Sequence, residues 1–305
     1  MNDIRLQILG SGSAVPTKQR NQSAQVLTLH NKSFLIDCGE GTQIQMVKHS
    51  VPTGRMSHIF ISHLHGDHCF GLMGLLSTLG MRGHGGTVVI HSHPKLEQFL
   101  RPVLDYFCRD LTFNVEFASF SDLQPEAIYE DKSLTVTTIP LKHSLPSNGF
   151  LFREKEKERH IIREKIDFYN VPVREIPRIK QGADFVTAEG IVVPNKYLTV
   201  AASPPFSYAY CSDTMYTEKF IPIIEKVDVL YHEATFLHEH LSRATSTMHS
   251  TSIQAATIAQ KAQVGKLIIG HFSARYEKPD GLLREAQSIF PNTEIAEDGK
   301  IFSLA

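Results

Sequence analysis

Ser62-His63-Leu64-His65-Gly66-Asp67-His68 packs three histidines and an aspartate into six residues. It follows directly on Ile59-Phe60-Ile61, a short apolar run that reads as a buried strand. Side chains two apart on an extended backbone point to the same face, so His63 and His65 project together. Asp67 and His68 then enter the first turn of a helix. Imidazole and carboxylate together suit zinc, and tolerate iron or manganese. A loop of surface histidines is the plain alternative, but H-x-H-x-D-H after a buried strand can offer two pairs of donors to two neighbouring metal ions.

Outward from this segment the N-terminal half is strand-rich. Ile4, Leu6 and Ile8 alternate with polar residues, and Val26 to Leu29 and Phe34 to Ile36 flank His30-Asn31-Lys32-Ser33 as a hairpin. Cys69 to Leu79 reads as a helix, Thr87 to Ile90 as a strand, and Pro94 to Phe107 as a helix opened by a proline whose missing N–H costs nothing there. Phe113 to Phe120 and Leu134 to Ile139 continue the strand pattern. Beyond Asn148 the character changes: Arg153 to Lys180 holds nine Lys/Arg and six Asp/Glu with few apolar positions. Residues of about 151–200 are therefore expected to protrude as an arm inserted in a single domain spanning 1–305. Tyr208 to Cys211, Val227 to Tyr231 and Leu267 to Ile269 read as strands; Met215 to Lys226, Ser250 to Ala262 and Gly281 to Phe290 read as helices. Asp298-Gly299 in the tail is a hairpin signal. Two strand-rich halves with interspersed helices predict a mixed α/β (α+β) chain, two packed sheets covered by helices on both outer faces.

Composition narrows the class. The 305 residues are 42 % hydrophobic, enough for a sizeable core. A net charge of −1 carries no global basic signature, so any nucleic-acid contact must be a local patch. The N-terminus has no apolar h-region, and no stretch approaches the ~18–20 apolar residues that span a bilayer. No membrane partner and a cytoplasmic location are expected, in keeping with Cys38, Cys69, Cys108 and Cys211, which form no CxxC pair. Gly10-Ser11-Gly12 lacks the third glycine of the dinucleotide fingerprint. His91-Ser92-His93 reads as a strand-end feature, and His238 and His240 as loop surface.

The Ser62–His68 segment is the signature of metallo-β-lactamase-fold hydrolases. The chain further resembles ribonuclease Z enzymes: in Gly10-Ser11-Gly12-Ser13-Ala14-Val15-Pro16 (GxGxxxP), Pro16-Thr17-Lys18-Gln19-Arg20-Asn21 (PxKxRN), Ile36-Asp37-Cys38-Gly39-Glu40-Gly41-Thr42, His232-Glu233-Ala234-Thr235 (the HEAT loop) and His271-Phe272-Ser273-Ala274-Arg275-Tyr276 (HxSxRY). The metal signature alone would name the superfamily; the PxKxRN and HEAT segments point to the tRNA-processing branch. The resemblance implies a four-layer αββα sandwich with a protruding arm, and two Zn2+ per subunit. One zinc would take His63, His65 and His143, the other Asp67, His68 and His271, with Asp213 bridging. Serine stands before Asp213 where the family's GD[TS] segment has glycine. Two cations suit phosphodiester hydrolysis because they offset the charge of the ester and activate water. The resemblance also implies a catalytic role for Asp67 toward the nucleophile, and a general acid, His249, backed by Glu233.

Lys18, Arg20 and Asn21 would sense the acceptor end of tRNA, while Ser273 and Arg275 would hold a phosphate. The arm would grip the tRNA body, although Val173-Arg174-Glu175-Ile176-Pro177 stands where the family often has Gly-Pro. Family members are commonly homodimers. The implied function is removal of the 3′ trailer from precursor tRNA after the discriminator base, leaving a 3′-hydroxyl on the tRNA and a 5′-phosphate on the trailer. The alternative is a hydrolase of the same fold acting on a small phosphodiester, sulfate ester or lactone, which would need neither arm nor HEAT loop. A metal-free binding module would require lost ligands, and all seven expected positions are filled.

Overall fold

The structure, a computed structural model, describes residues 4–304. It divides into two compact units: a larger one built from the chain up to Glu130, Thr135–Phe152 and the chain from Ser207 onward, and a smaller one of Asp131–Leu134 and Arg153–Phe206.

The larger unit holds two seven-stranded sheets. In spatial order the first is Ile301–Ser303, Arg5–Gly10, Ala24–Leu29, Lys32–Ile36, Met56–Phe60, Thr87–Ser92 and Asn114–Ser119. The second is Thr293–Ile295, Lys266–Gly270, Val229–Glu233, Ser207–Cys211, Asn148–Glu154, Leu134–Pro140 and Ala127–Glu130. Each sheet has a parallel half: Lys32–Ile36 onward in the first, and Ser207–Cys211 through Thr293–Ile295 in the second. Parallel strands covered on both faces read as unbroken apolar runs, as in Leu267-Ile268-Ile269.

The inner faces meet through aromatic rings. Phe34 lies 5.6 Å from Phe152, and Phe60 5.4 Å from Phe150. The outer face of the first sheet packs Val26, Leu35, Ile59, Val88 and Ile90 against Leu72, Leu75, Leu76 and Leu79 of helix Leu72–Met81, and Leu96, Leu100 and Leu104 of helix Lys95–Phe107. The outer face of the second sheet packs Ala209, Leu230, Leu267 and Ile269 against helices Ser252–Lys261 and Asp280–Ile289. Each fully buried Leu, Ile or Phe contributes about 1.5–3 kcal/mol relative to exposure. The layers therefore run helix, sheet, sheet, helix.

Several local expectations change. Met215–Lys226 holds only the one-turn helix Ile221–Ile224, opened by Pro222 at its second position. The helix expected over Cys69–Leu79 is split into Gly66–Cys69 and Leu72–Met81. Asp298-Gly299 does not turn a hairpin: Thr293–Ile295 joins the second sheet and Ile301–Ser303 the first. Gly299 takes φ 88°, which serves the crossing, while the Asp298 carboxylate accepts hydrogen bonds from Ser11 and Asn21.

The smaller unit has its own apolar centre of Ile166, Val171, Ile179, Phe185, Val193 and Leu198. Asn195 organises it: its Nδ2 donates to the carbonyls of Ile179 (2.6 Å) and Ala183 (2.8 Å), and its Oδ1 accepts from the Thr199 hydroxyl (2.7 Å). Buried Glu154 accepts the Phe206 N–H (2.7 Å) and pairs with Lys157 (2.8 Å), tying the unit's two ends together.

Candidate active site

The site residues lie just past the carboxyl ends of the parallel strands, where α/β sheets leave room for ligands. Asp37 follows Lys32–Ile36, His63 follows Met56–Phe60, Asp213 follows Ser207–Cys211, Glu233 ends its own strand, and His271 follows Lys266–Gly270. Asp37 and His271 take positive φ, 57° and 59°. That conformation costs a non-glycine residue about 1–2 kcal/mol, and it turns both side chains out of the strand path. The Asp37–Thr42 stretch lies against the metal-signature loop: Cys38 N–H donates to His68 O and Gly71 N–H to Cys38 O, each at 2.8 Å. Glycine is needed there for space, since a Cβ on Gly71 would sit 2.1 Å from Gly39 O and one on Gly39 2.5 Å from Asp67 O.

Seven side chains converge as two groups that share Asp213, and a third group of Glu233, His249 and His271 adjoins them. In the first, His65 Nδ1 lies 3.0 Å from His63 Nε2 and 3.2 Å from His143 Nε2. Asp213 Oδ2 stands 3.5 Å from His63 Nε2 and 3.6 Å from His143 Nε2. In the second, His68 Nε2 lies 3.3 Å from His271 Nε2. Asp213 Oδ1 stands 3.3 and 3.0 Å from those nitrogens, and Asp67 Oδ2 3.4 and 3.6 Å. Asp213 thus gives one oxygen to each group.

These spacings match a cation's demands. Donors about 2 Å from a shared tetrahedral ion stand roughly 3.3 Å apart, and every separation quoted lies between 3.0 and 3.6 Å. Ring nitrogens facing one another at such distances have no better use for their lone pairs. Four of the five histidines, all but His65, have their other ring nitrogen held from behind. His63 Nδ1 meets Ser62 Oγ (3.0 Å), His68 Nδ1 meets Asp37 Oδ2 (2.7 Å), His143 Nδ1 meets Met248 O (2.9 Å) and His271 Nδ1 meets Thr235 Oγ1 (3.0 Å). In those four the backing favours the tautomer that presents Nε2, while His65 presents Nδ1; a metal-binding histidine is oriented in the same way.

The electrostatics point the same way. Asp37, Asp67, Asp213 and Glu233 are all buried, and among the described residues no lysine or arginine lines the cleft. Buried carboxylates without cations are costly. Burial pushes the pKa values of His63, His65 and His143 down, favouring the neutral, metal-binding form. Burial would do the same to His68, but Asp213, Asp37 and Asp67 raise its pKa well above the usual range. Burial opposes ionisation of Asp67 too, yet His68 and His271 pull its pKa down.

His249 lies beside this centre and lines the same cleft of about 360 Å³. Its Nδ1 is 2.8 Å from Glu233 Oε1. Glu233 also accepts from the N–H groups of Thr214 (2.9 Å) and Thr235 (3.2 Å) and from the Thr235 hydroxyl (2.6 Å). Burial lowers the His249 pKa, but Glu233 outweighs it and lifts the value to about 9. Glu233 keeps its charge, its pKa lowered by His249 against the effect of burial.

The expected substrate residues divide. Lys18 and Arg275 are exposed, with the Arg275 guanidinium 5.2 Å from the centre of the Phe236 ring, and Ser273 lines the cleft. Arg20 does not face solvent. It is buried, and its guanidinium donates to the carbonyls of Glu277 (3.2 Å), Ser273 (3.4 Å) and Tyr276. Asn21 gives its N–H (2.7 Å) and its Nδ2 (2.9 Å) to Asp298 Oδ2. Arg20 therefore holds the Ser273–Glu277 loop, and Asn21 ties the N-terminal loop to Asp298. Sequence reasoning missed that framework, and gave no role to Asp37, although the Asp37–Thr42 motif contains it. His91 is buried with His58, Nε2 to Nδ1 3.0 Å, among Phe60 and Tyr129 and apart from both groups.

Known proteins resemble the chain in sequence and in fold. Residues 4–162 match a family model described as anti-Pycsar protein Apyc1, a span that ends before Asp213, Glu233, His249 and His271. Solved structures resemble the whole chain. The short form of human tRNase Z has 25 % identity and a TM-score of 0.71 over 99 % of each chain. The metallo-β-lactamase-fold protein YhfI of Bacillus subtilis, at 21 % identity and a TM-score of 0.67 over 99 % of each chain, shares the fold. Proteins named ribonuclease Z match from end to end: 54 % identity in Parabacteroides distasonis and 51 % in Bacteroides fragilis, each over 304 residues and 100 % of both chains. On that full-length identity, the chain belongs to the ribonuclease Z family of metal-dependent endoribonucleases.

Proposed function

We propose that this enzyme cuts the 3′ trailer from precursor tRNA after the discriminator nucleotide, leaving a 3′-hydroxyl on the tRNA and a 5′-phosphate on the trailer. The observation that carries the reading is the pair of donor groups sharing Asp213, with His249 and Glu233 beside them. We assign two zinc ions per chain, one to His63, His65 and His143, the other to Asp67, His68 and His271, with Asp213 joining both. When bound, such ions supply Lewis acidity, offsetting phosphodiester charge and lowering the pKa of water.

The protein's own groups do the rest. Asp67, ionised and at the cleft wall, orients the attacking water or takes its proton. His249 holds its Nδ1 against Glu233, so its Nε2 is the atom that carries a proton to the departing 3′-oxygen. A pKa of about 9 keeps that proton in place at neutral pH. Ser273 and Arg275 hold a substrate phosphate, and Lys18 meets the acceptor end. Arg20 and Asn21 act indirectly, by fixing the loops that carry those groups.

The smaller unit is the arm that grips the tRNA body. In its favour, a cleft of about 620 Å³ is lined by exposed Phe168 and by Arg174 and Arg178, which pair with Glu175 of the same cleft (3.8 and 3.1 Å). An aromatic face and guanidinium groups are what a nucleic acid is held by. We further propose a homodimer, the arm of one copy serving tRNA bound to the other, acting in the cytoplasm. The free state of all four cysteines supports that compartment. Among the described residues no helix is long and apolar enough to cross a membrane.

The test is end-mapping of a 3′-extended precursor tRNA incubated with zinc and enzyme. The expected product is a single cut after the discriminator nucleotide. Turnover of a small phosphodiester, sulfate ester or lactone with the precursor left intact would favour the small-ester alternative.

A further inference from the structure

Asp37 is fully buried and receives four donors. Ser62 N–H reaches its Oδ1 at 2.8 Å, while the Ser62 hydroxyl (2.9 Å), His68 Nδ1 (2.7 Å) and the Tyr210 hydroxyl (2.6 Å) all reach its Oδ2. The first three come from the sheet that carries Asp37. Tyr210 comes from the other sheet, on strand Ser207–Cys211, three residues before Asp213.

We infer that Tyr210 is a positioning residue for the metal centre, acting through Asp37 on His68 and holding the donors of the two sheets in register. The seven donors are divided between the sheets: His63, His65, Asp67 and His68 follow the first, and His143, Asp213 and His271 follow strands of the second. An error of a few tenths of an ångström between the sheets would spoil both groups at once, because Asp213 serves both. The Tyr210–Asp37 hydrogen bond spans that division within a few residues of the donors. It is also rigidly mounted. Tyr210 stacks on Tyr231 at 5.0 Å and 22°. Tyr231 in turn fills the space over Gly270, where a Cβ would fall 2.2 Å from the Tyr231 hydroxyl oxygen, directly before His271. From Asp37 the effect passes to His68 directly. It reaches His63 one bond further on, since Ser62 Oγ lies between Asp37 Oδ2 and His63 Nδ1. Carboxylates behind metal-binding histidines set ring orientation and basicity, and disturbing them costs roughly 10–100-fold in metal affinity.

The inference rests on the metal reading proposed above, and a control is built into the same strand. Tyr208 also reaches the opposite sheet, its hydroxyl 2.6 Å from Gln25 Oε1, but among the described residues no hydrogen bond joins it to a donor histidine. The experiment is zinc competition against a chromogenic chelator for wild type, Tyr210→Phe and Tyr208→Phe, with thermal melting of the metal-free proteins alongside. Both variants lose one buried hydroxyl, so similar losses of metal-free stability are expected. Tyr210→Phe alone should bind zinc about tenfold more weakly at the tighter-coupled group of Asp67, His68 and His271, with a smaller change at the other. Equal zinc affinities in Tyr210→Phe and wild type would overturn the inference and leave the metal reading standing, as would equal weakening by Tyr208→Phe. Failure of wild type to take up zinc would instead overturn the metal reading. Should Tyr210→Phe not fold, Asp37→Asn tests the same relay: its zinc affinity should also fall, and wild-type affinity there would refute the coupling.

Discussion

His249 and Glu233 show what a single carboxylate does to its neighbour. Glu233 has lost all contact with water, yet four donors surround it, so it stays ionised and holds the imidazolium proton. The role assigned to His249 is tested by leaving-group dependence. His249→Ala should slow cleavage at a poor alkoxide leaving group by about 10²–10⁴-fold, the usual worth of general acid catalysis. An activated aryl phosphodiester, whose leaving group needs no proton, should lose far less. Rate constants for both substrates decide it, and equal slowing would remove the general-acid role.

At the scale of elements, local pattern and tertiary demand separate cleanly. Helix Ser252–Lys261 starts on a complete capping box, the Thr251 hydroxyl accepting Gln254 N–H (3.3 Å) and the Gln254 side chain accepting Thr251 N–H (3.0 Å). Thr251→Ala should cost about 1 kcal/mol in denaturant unfolding, without changing metal content; an unchanged midpoint would show the cap to be dispensable. Such signals are local, which is why this helix and the apolar runs before Asp37, His63, Asp213 and His271 could be read directly. Where neighbours in space decide, the sequence was silent or misleading. Asp298-Gly299 carries the letters of a hairpin, but its two flanks pair with different sheets. Arg20 carries the letters of a phosphate ligand, yet three loop carbonyls take up its donors. Tyr210 lies in an apolar strand whose periodicity says nothing of an acceptor 173 residues away. The side chains that converge were legible because motif order named them, while the framework behind them is written only in the packing of the sheets.

The whole molecule combines one catalytic unit with a smaller unit that has its own apolar centre. Replacing 153–206 by a short linker should reduce precursor tRNA cleavage by one to two orders of magnitude, about 1.4–2.8 kcal/mol of transition-state binding. Hydrolysis of a small chromogenic phosphodiester should remain near wild type; kcat/KM for both substrates checks this, and parallel loss would make the segment a structural requirement instead. Cleavage is proposed to depend on metal ions held by side chains from distant stretches of chain. Zinc equivalents retained per chain after gel filtration, measured for wild type and Asp213→Ala together with their precursor-cleavage rates, test it most directly. Two equivalents are expected for wild type, fewer for the variant, and cleavage lost along with the metal. A metal-free wild-type chain that still cuts at the discriminator nucleotide would contradict it.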